Sequence, residues 1–451
     1  MNEIINNKIN KKRVAICTLG CKVNQYESNA IMQEFVDNGY KIVEFEEQAD
    51  IYIVNTCTVT NMADKKSRQM LRRTKEINNK SILVVTGCYA QVSKEKLEKM
   101  PEIDLVLGVN EKNNLLKHVE NYLAVNINDS NNEENSRENL KEVIVSDVMK
   151  QNEFLDFGEV TYTDKTRAVI KVQDGCNQFC SYCIIPYARG RIRSRKPENV
   201  IKEITKIAKE GIKEVVITGI HLASYGKDFE DKYLLIDLLE DIEKIEGIKR
   251  IRLGSLEPTL ITEEFVKRLS KLSKICDHFH LSLQSGCDNT LRRMNRKYTT
   301  KQFKESTEIL RNSFPNVHLT TDIIVGFPGE TKEEFNETYK FLENIKFYKM
   351  HIFKYSKRDG TVAAKMPNQI DGKVQEERSQ KLIELSNELE NKYNKNYENR
   401  KVEVLWEEPQ GDYITGHTKN YMFIKKNLAD ARGRENDIEE IIINNGDIIV
   451  R

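Results

Sequence analysis

Three cysteines fall in one short run, Cys176-Asn177-Gln178-Phe179-Cys180-Ser181-Tyr182-Cys183. A structural zinc site takes four ligands, and no histidine or cysteine close behind Cys183 completes a tetrahedral set. A cubane iron–sulfur cluster usually takes four cysteines. Three thiolates can therefore hold a cubane and leave one iron open, free to bind a small molecule and pass it an electron. A zinc knuckle short of one ligand is the alternative. Tyr182, beside the last thiolate, could lie against a flat cofactor ring or simply pack the loop.

A second set lies upstream: Cys21 in Thr18-Leu19-Gly20-Cys21-Lys22, Cys57 in Asn55-Thr56-Cys57, and Cys88 in Thr86-Gly87-Cys88. Each follows a short apolar run, at 14–17, 51–54 and 82–85, and a fourth run occupies 104–107. Helical patterns at 26–38, 63–77 and 94–100 separate them. Apolar runs without polar alternation suit a parallel sheet covered on both faces. Residues 1–125 therefore read as a doubly wound α/β domain, in which ligands collect beyond the C-terminal ends of the strands. The three cysteines would converge there, with Gly20 and Gly87 permitting close backbone approach. Three buried packing cysteines are the alternative. Cys17, inside the first run, reads as packing.

The polar stretch 126–142 cannot bury much apolar surface, so 126–160 reads as a linker. Beyond it the strand–helix pattern restarts. Strands are expected at 168–172, 214–218, 249–253, 278–283, 318–325 and 348–355, with helices near 197–210, 233–246, 259–273, 299–313 and 330–344. Six such units predict a partial (β/α)6 barrel over 161–398, closed by a charged covering helix at 373–399. The cysteine triplet directly follows the first of these strands, at the end where barrels place their chemistry. Residues 399–451 predict a small all-β domain with strands at 402–405, 421–424, 441–443 and 448–450 and a turn at 445–447.

The composition is that of a soluble globular chain: 451 residues, 39% hydrophobic and 31% charged. Lys plus Arg numbers 71 against 70 Asp plus Glu, a formal charge of +1. Any nucleic-acid footprint must then be local. No apolar run approaches a membrane span, and residues 1–13 show no signal-peptide core. Nine cysteines in short motifs suit metal or redox duty in a reducing cytoplasm better than disulfides. The chain shows no acid–base dyad, Ser–His pair or phosphate-cradling loop. His221, His278 and His280, near strand ends, read as structural.

The spacing Cys176…Cys180-Ser181-Tyr182-Cys183 resembles the signature of radical S-adenosylmethionine enzymes. In that family the open iron chelates S-adenosylmethionine, and one electron cleaves it to methionine and a 5′-deoxyadenosyl radical. The order of parts further resembles the methylthiotransferases: an N-terminal domain with three cysteines, a radical barrel, and a β-domain of the kind called TRAM. The resemblance implies that Cys176, Cys180 and Cys183 hold the radical 4Fe–4S cluster and that Cys21, Cys57 and Cys88 hold an auxiliary one. It also implies two molecules of S-adenosylmethionine, an electron donor such as flavodoxin or ferredoxin, and two clusters that face each other across the substrate. The wording Thr18-Leu19-Gly20-Cys21-Lys22-Val23-Asn24 and Asn55-Thr56-Cys57-Thr58-Val59-Thr60-Asn61 is similar to the group that methylthiolates C2 of N6-threonylcarbamoyladenosine beside the tRNA anticodon. Another tRNA adenosine, a ribosomal-protein side chain, or a non-catalytic RNA-binding role with structural metals are the rival readings.

By the same resemblance Tyr182, Gly219 in Thr218-Gly219-Ile220-His221, Gln284 in Gln284-Ser285-Gly286, and Asp322 in Thr321-Asp322 are candidates for holding S-adenosylmethionine. The run Gly326-Phe327-Pro328-Gly329-Glu330 belongs with them. Turn chemistry at strand ends is the alternative for each. Three basic runs follow the strand ends: Arg189, Arg191, Arg193, Arg195 and Lys196; Lys65, Lys66, Arg68, Arg72 and Arg73; and Arg292, Arg293, Arg296 and Lys297. Together they would line one mouth with positive charge and attract phosphates. Lys419 and Lys425 are further RNA-binding candidates, interleaved with Tyr421 and Phe423, which fit either base stacking or core.

Overall fold

The computed structural model describes residues 12–129, 141–163, 166–431, 433–444 and 446–448. The chain divides into two compact units. The first comprises the residues up to Tyr162, with 173–177 and 183–195. In chain order it contains β1 (Arg13–Thr18), α1 (Lys22–Asp37), β2 (Lys41–Val43), β3 (Ile51–Thr56), α2 (Asn61–Ile77), β4 (Ile82–Gly87), α3 (Cys88–Val92), α4 (Lys94–Glu98), β5 (Leu105–Leu107), α5 (Leu115–Asp129) and β6 (Glu142–Ile144).

Its sheet runs β2-β1-β3-β4-β5-β6 with every neighbour pair parallel. β3 and β4 are buried along their whole length. Successive residues point to opposite faces, so Tyr52, Val54, Leu83 and Val85 enter one core while Ile51, Ile53, Ile82 and Val84 enter the other. That two-sided burial is why the sequence shows unbroken apolar runs here. The edge strands β2 and β6 were not legible as strands. Each is three residues long and partly exposed, so neither needs a sustained apolar pattern.

β6 also corrects the linker expected over 126–160. Glu142, Val143 and Ile144 pair with Leu105, Val106 and Leu107, a 3₁₀ turn follows at Val148–Lys150, and the segment continues in the first unit to Tyr162. Residues 130–140 of the expected linker lie outside the described residues. The boundary is not a single cut, because 173–177 and 183–195 also group with the first unit. Those segments carry the end of β7 (Arg167–Asp174), then α6 (Ile185–Arg189) and β8 (Arg193–Ser194). Gln173 and Asp174 pair antiparallel with Ser194 and Arg193.

The second unit comprises 163–172, 178–182 and 196–451. It continues with α7 (Pro197–Lys209), β9 (Glu214–Gly219), α8 (Leu235–Glu243), β10 (Arg250–Leu253), α9 (Glu263–Leu269), β11 (His278–His280), α10 (Asp288–Arg293), α11 (Thr300–Ser313), β12 (His318–Val325), α12 (Lys332–Ile345), β13 (Lys349–Lys354) and α13 (Gly372–Lys395). Strands β10-β9-β7 form one sheet and β11-β12-β13 another. Single parallel bridges, Ile251 to Ile275 and Leu256 to Leu281, join the two. This is the expected partial barrel of six strands. One apolar cluster, including Ile170, Val215, Ile251, Phe279, Leu319 and Met350, packs the strands against helix residues such as Ile204, Leu239 and Leu342. Thr262, Thr299 and Thr331 cap α9, α11 and α12 by accepting the backbone N–H three residues on, and Gln302 and Glu334 complete two capping boxes.

The C-terminal domain belongs to the same unit. Strands β14 (Lys401–Trp406), β15 (Tyr413–Thr418), β16 (Phe423–Asn427) and β17 (Ile438–Ile442) form an antiparallel sheet in the order β16-β15-β14-β17, packed around the fully buried Trp406. β15, rich in Thr, Gly and His, escaped the sequence reading because it lacks an apolar run. Ile448 makes a single bridge to Ile424; residues 445, 449 and 450 of the expected last turn and strand lie outside the described residues. This domain docks on the N-terminal ends of the barrel strands. Arg250 donates to the carbonyls of Glu403 (3.0 Å) and His417 (2.9 Å). Arg252 bonds Glu214 (2.7 Å) and the carbonyl of Thr418 (3.2 Å).

Candidate cluster and cofactor sites

Cys21 sits in the turn between β1 and α1, Cys57 follows β3, and Cys88 opens α3 after β4. Three neighbouring parallel strands thus deliver one thiol each from their C-terminal ends. The approach is close. Gly20 has φ +107°, and a Cβ on it would lie 2.8 Å from the Cys57 Sγ. Gly87 has φ +98°, and a Cβ there would lie 2.4 Å from the Thr56 carbonyl. Two asparagines stitch the turns together: Asn24 donates to the carbonyls of Leu19 (2.7 Å) and Thr56 (3.1 Å), and Asn55 donates to the carbonyl of Asn24 (3.0 Å).

The donor set suits a cluster. It consists of thiols alone, which are the ligands of iron in such sites. Burial, then the neighbouring Cys88 thiol, pushes Cys57 up to about 11. Such crowded thiols release their protons on binding metal. Among the described residues no three Cys, His, Asp or Glu side chains are placed to hold a single metal ion. A cubane spaces its thiolates more widely than one ion does.

Behind Cys88 lies a buried ionic group, all of it in the first unit. The Arg189 Nε donates to the Cys88 Sγ at 3.2 Å. Its other nitrogens reach both oxygens of Glu27, the Asn24 side chain at 2.6 Å and Asp174 at 3.4 Å. Lys112 pairs with the same Glu27 and donates to Asn55 at 2.9 Å. Burial works against the Arg189 charge, but Cys88, Glu27 and Asp174 more than restore it, so the guanidinium stays protonated.

The triplet's loop is held from within each unit. In the first unit, Cys176 donates its N–H to the carbonyl of Gly190 (3.0 Å). In the second, Ser181 donates to the carbonyls of Met294 (backbone, 3.0 Å) and Arg293 (side chain, 2.8 Å), and Asn295 donates to the carbonyl of Phe179 (2.9 Å). The Arg296 guanidinium donates to the Cys180 Sγ at 3.2 Å. It is held in turn by Glu257 (3.1 Å), the Ser282 carbonyl (3.1 Å) and the Tyr298 hydroxyl (2.9 Å). His221 bonds Ser224 (2.7 Å) and Glu257 (3.2 Å), a satisfied residue as expected.

Several sequence expectations about basic residues are corrected. Arg189, Arg193 and Arg195 do not face solvent; all three are buried. Arg193 donates to the carbonyl of Arg189 (2.7 Å), and Arg195 to Asp156 (3.1 Å), Tyr26 (3.2 Å) and the carbonyl of Gly158 (2.6 Å). Arg191 and Lys196 are the exposed members of that run. In the third run, Arg293 pairs with Glu334 (2.6 Å) and Arg296 turns inward to Cys180, leaving Arg292 and Lys297 exposed. On α2, by contrast, Lys65, Lys66, Arg72 and Arg73 are exposed. Charge alone, read along a sequence, does not distinguish the two cases. In the C-terminal domain Tyr421 is no stacking platform: it lies between His278 (4.7 Å) and His417 (4.6 Å), with Arg252 4.7 Å from its ring centre. Phe423 is core. Lys419 donates to the Ser273 carbonyl (2.9 Å), and the Lys425 ammonium lies 3.7 Å from the Tyr413 ring centre.

The cofactor candidates all stand in the second unit. Tyr182 packs edge-on to Phe327 at 6.4 Å. Gly219 ends β9. Gln284 holds φ 73°, donating its N–H to the Asp322 carbonyl and accepting from Ile324, both at 2.9 Å. The Asp322 carboxylate lies 3.3 Å from His280. Glu330 caps its own turn, accepting from Gly326 N–H at 2.7 Å, and binds Arg378 at 2.5 Å.

The Radical SAM superfamily matches residues 170–342, and the Uncharacterized protein family UPF0004 matches residues 13–108. Among solved structures, the radical S-adenosylmethionine methyltransferase TsrM from Kitasatospora setae superposes with a TM-score of 0.53 at 15% identity, covering 76% of this chain and 73% of that one; this likeness is one of fold. The chain is 44% identical to threonylcarbamoyladenosine tRNA methylthiotransferase MtaB of Bacillus subtilis (strain 168), covering 93% of this chain and 92% of that one. It is 40% identical to the protein of that name from Aquifex aeolicus (92% and 96%). It is 36% identical to tRNA-2-methylthio-N(6)-dimethylallyladenosine synthase of Clostridium novyi (89% and 87%). The chain belongs to the radical S-adenosylmethionine methylthiotransferase family. Membership brings S-adenosylmethionine and a 4Fe–4S cluster with it.

Proposed function

We propose that this protein methylthiolates C2 of N6-threonylcarbamoyladenosine beside the anticodon of tRNA, with two 4Fe–4S clusters and two molecules of S-adenosylmethionine. The observation that carries the proposal is the second thiol set: Cys21, Cys57 and Cys88, delivered by three adjacent parallel strands and apart in sequence from the radical triplet. A radical enzyme that only cleaves S-adenosylmethionine has no use for it. The choice of base is supported by the names of the relatives at 44% and 40% identity. When bound, the clusters and S-adenosylmethionine supply the radical and the sulfur.

The chain's own residues position and insulate these groups. Cys176, Cys180 and Cys183 ligate the radical cluster, with Arg296 steadying Cys180. Cys21, Cys57 and Cys88 ligate the auxiliary cluster. Tyr182, Gly219, Gln284 and Asp322 hold S-adenosylmethionine. At Gln284 a left-handed backbone costs a non-glycine residue about 1 kcal/mol or more, a strain that persists only where surroundings enforce it. The exposed face of α2, with Arg191, meets tRNA phosphates.

The test uses anaerobically reconstituted protein, which should hold about eight irons per chain as two cubanes. It is incubated with S-adenosylmethionine, a reductant and tRNA carrying either threonylcarbamoyladenosine or dimethylallyladenosine, and the digested nucleosides are weighed. A methylthio mass on the first substrate is expected. A product on the second alone would redirect the assignment, and four irons with no methylthio nucleoside would sink it.

A further inference from the structure

Arg189 was a candidate for binding RNA, yet it is fully buried. Burying a guanidinium is costly unless it is paired and hydrogen-bonded, so its partners indicate its role. All three guanidinium nitrogens are engaged, and they divide unequally. Nη1 and Nη2 serve Glu27, Asp174 and Asn24, while Nε is turned on the Cys88 Sγ at 3.2 Å. Neither carboxylate belongs to Arg189 alone. Glu27 is also bound by Lys112, itself fully buried, and Asp174 lies 3.7 Å from Arg193. Each carboxylate is thus shared between two cations, and part of the Arg189 charge is left for the sulfur it touches.

The placement has a second consequence. Arg189 ends α6, the helix that begins two residues after Cys183. Asn24, its partner at 2.6 Å, also ties the turns that carry Cys21 and Cys57. One side chain therefore fixes the segment leaving the radical triplet to the seat of the upstream thiols.

We propose that Arg189 is a positioning residue of the auxiliary centre: its fixed positive charge on Cys88 stabilises the reduced form of the cluster and sets its potential. This rests on the auxiliary-cluster reading above. The physics is a matter of sign. Reduction adds negative charge, and a buried cation in contact with a ligand sulfur favours the more negative state, the more so in a low-dielectric surrounding. Removing the cation lowers the midpoint potential. Removing the carboxylate that partly neutralises it raises the midpoint.

The experiment uses the full chain with Cys176→Ala, Cys180→Ala and Cys183→Ala, so that only the upstream thiols can hold iron, titrated with electron paramagnetic resonance as the readout. Arg189→Gln should move the midpoint to a more negative potential, Arg189→Lys should recover part of the shift, and Glu27→Gln should move it the other way. Defects that merely loosen the fold would broaden the signal without opposite signs in the two variants. Should Arg189→Gln fail to retain a cluster, Arg189→Lys and Glu27→Gln still decide the sign. An unmoved midpoint in all three variants, or shifts of one sign for Arg189→Gln and Glu27→Gln, would overturn the proposal while leaving the auxiliary cluster standing. Failure of the triple-alanine protein to bind any iron would overturn the auxiliary reading and this one with it.

Discussion

At the scale of single residues, the two cysteine sets can be separated by their consequences. On the proposed assignment Cys176 belongs to the triplet that holds the radical cluster, and Cys57 to the thiols delivered by the first unit's sheet. Cys176→Ala is expected to abolish formation of 5′-deoxyadenosine. Cys57→Ala is expected to leave that cleavage in place and to stop methylthiolation. The measurement is 5′-deoxyadenosine and methylthio nucleoside from the same reaction; product from both variants would contradict the division of labour. The arginines are the other lesson at this scale. Arg189 and Arg296 each donate to a cysteine sulfur at 3.2 Å, and both were read from the sequence as members of basic runs. A run of alternating arginines looks the same on paper whether it faces phosphate or a buried carboxylate. Arg189 turns inward to Asp174, 15 residues away, and to Asn24, Glu27 and Cys88, about a hundred residues or more away.

At the scale of elements, α2 differs from the other basic stretches. Thr60 caps it, accepting from Ala63 N–H, directly after the Cys57 loop. Its inner face buries Ser67, Leu71 and Thr74, and its outer face presents Lys65, Lys66, Arg72 and Arg73. The pairs formed there are weak and exposed: Arg73 to Glu46 at 3.5 Å and Arg72 to Glu102 at 3.9 Å, geometry that contributes little stability. Replacing Lys66 and Arg73 by glutamine should therefore change stability by less than about 0.5 kcal/mol. If two phosphate contacts are lost, the slope of log affinity for tRNA against log salt should flatten by about 1.4 to 1.8. Denaturant unfolding checks the first number and binding measured across a salt series the second; an unchanged slope would remove α2 from the RNA contact.

At the scale of the second unit, the barrel and the C-terminal domain are joined by a buried polar seam. His318, at the start of β12, stacks on Tyr348 at 4.0 Å, meets Tyr393 and Tyr397 edge-on, and lies 3.4 Å from the Asn420 side chain. Burial drives its pKa down to about 3. The folded state therefore prefers neutral imidazole, whereas the unfolded chain takes up a proton near the ordinary value of about 6.5. The resulting stability is complete above that value and is lost as the pH falls from about 6.5 toward 3, by up to ~1.4 kcal/mol per pH unit. The unfolding midpoint of this unit should hold steady above neutrality and decline through mildly acid pH, and His318→Phe should flatten that decline. An identical acid limb in the variant would show that another group governs it. No helix among the described residues is long and apolar enough to cross a membrane.

The sequence by itself determined the two cysteine sets, the apolar runs of β3 and β4, and the strand–helix rhythm of the barrel. These are local signals: thiol spacing is covalent, and two-sided burial writes itself into consecutive residues. The short, half-exposed edge strands β2 and β6 left no such record, because three residues at a sheet edge need little apolar surface, and the buried strand β15 left none because Thr, Gly and His fill most of it. What only the tertiary structure decided is which charges face inward. The partners of Arg189, Arg195 and Arg252 lie far off in the chain, and a buried ion pair is defined by where its two halves meet rather than by either half. The same holds for Tyr421, whose alternation with lysines suggested a surface for bases. Its ring is instead held between His278 and His417, because docking on the barrel encloses it.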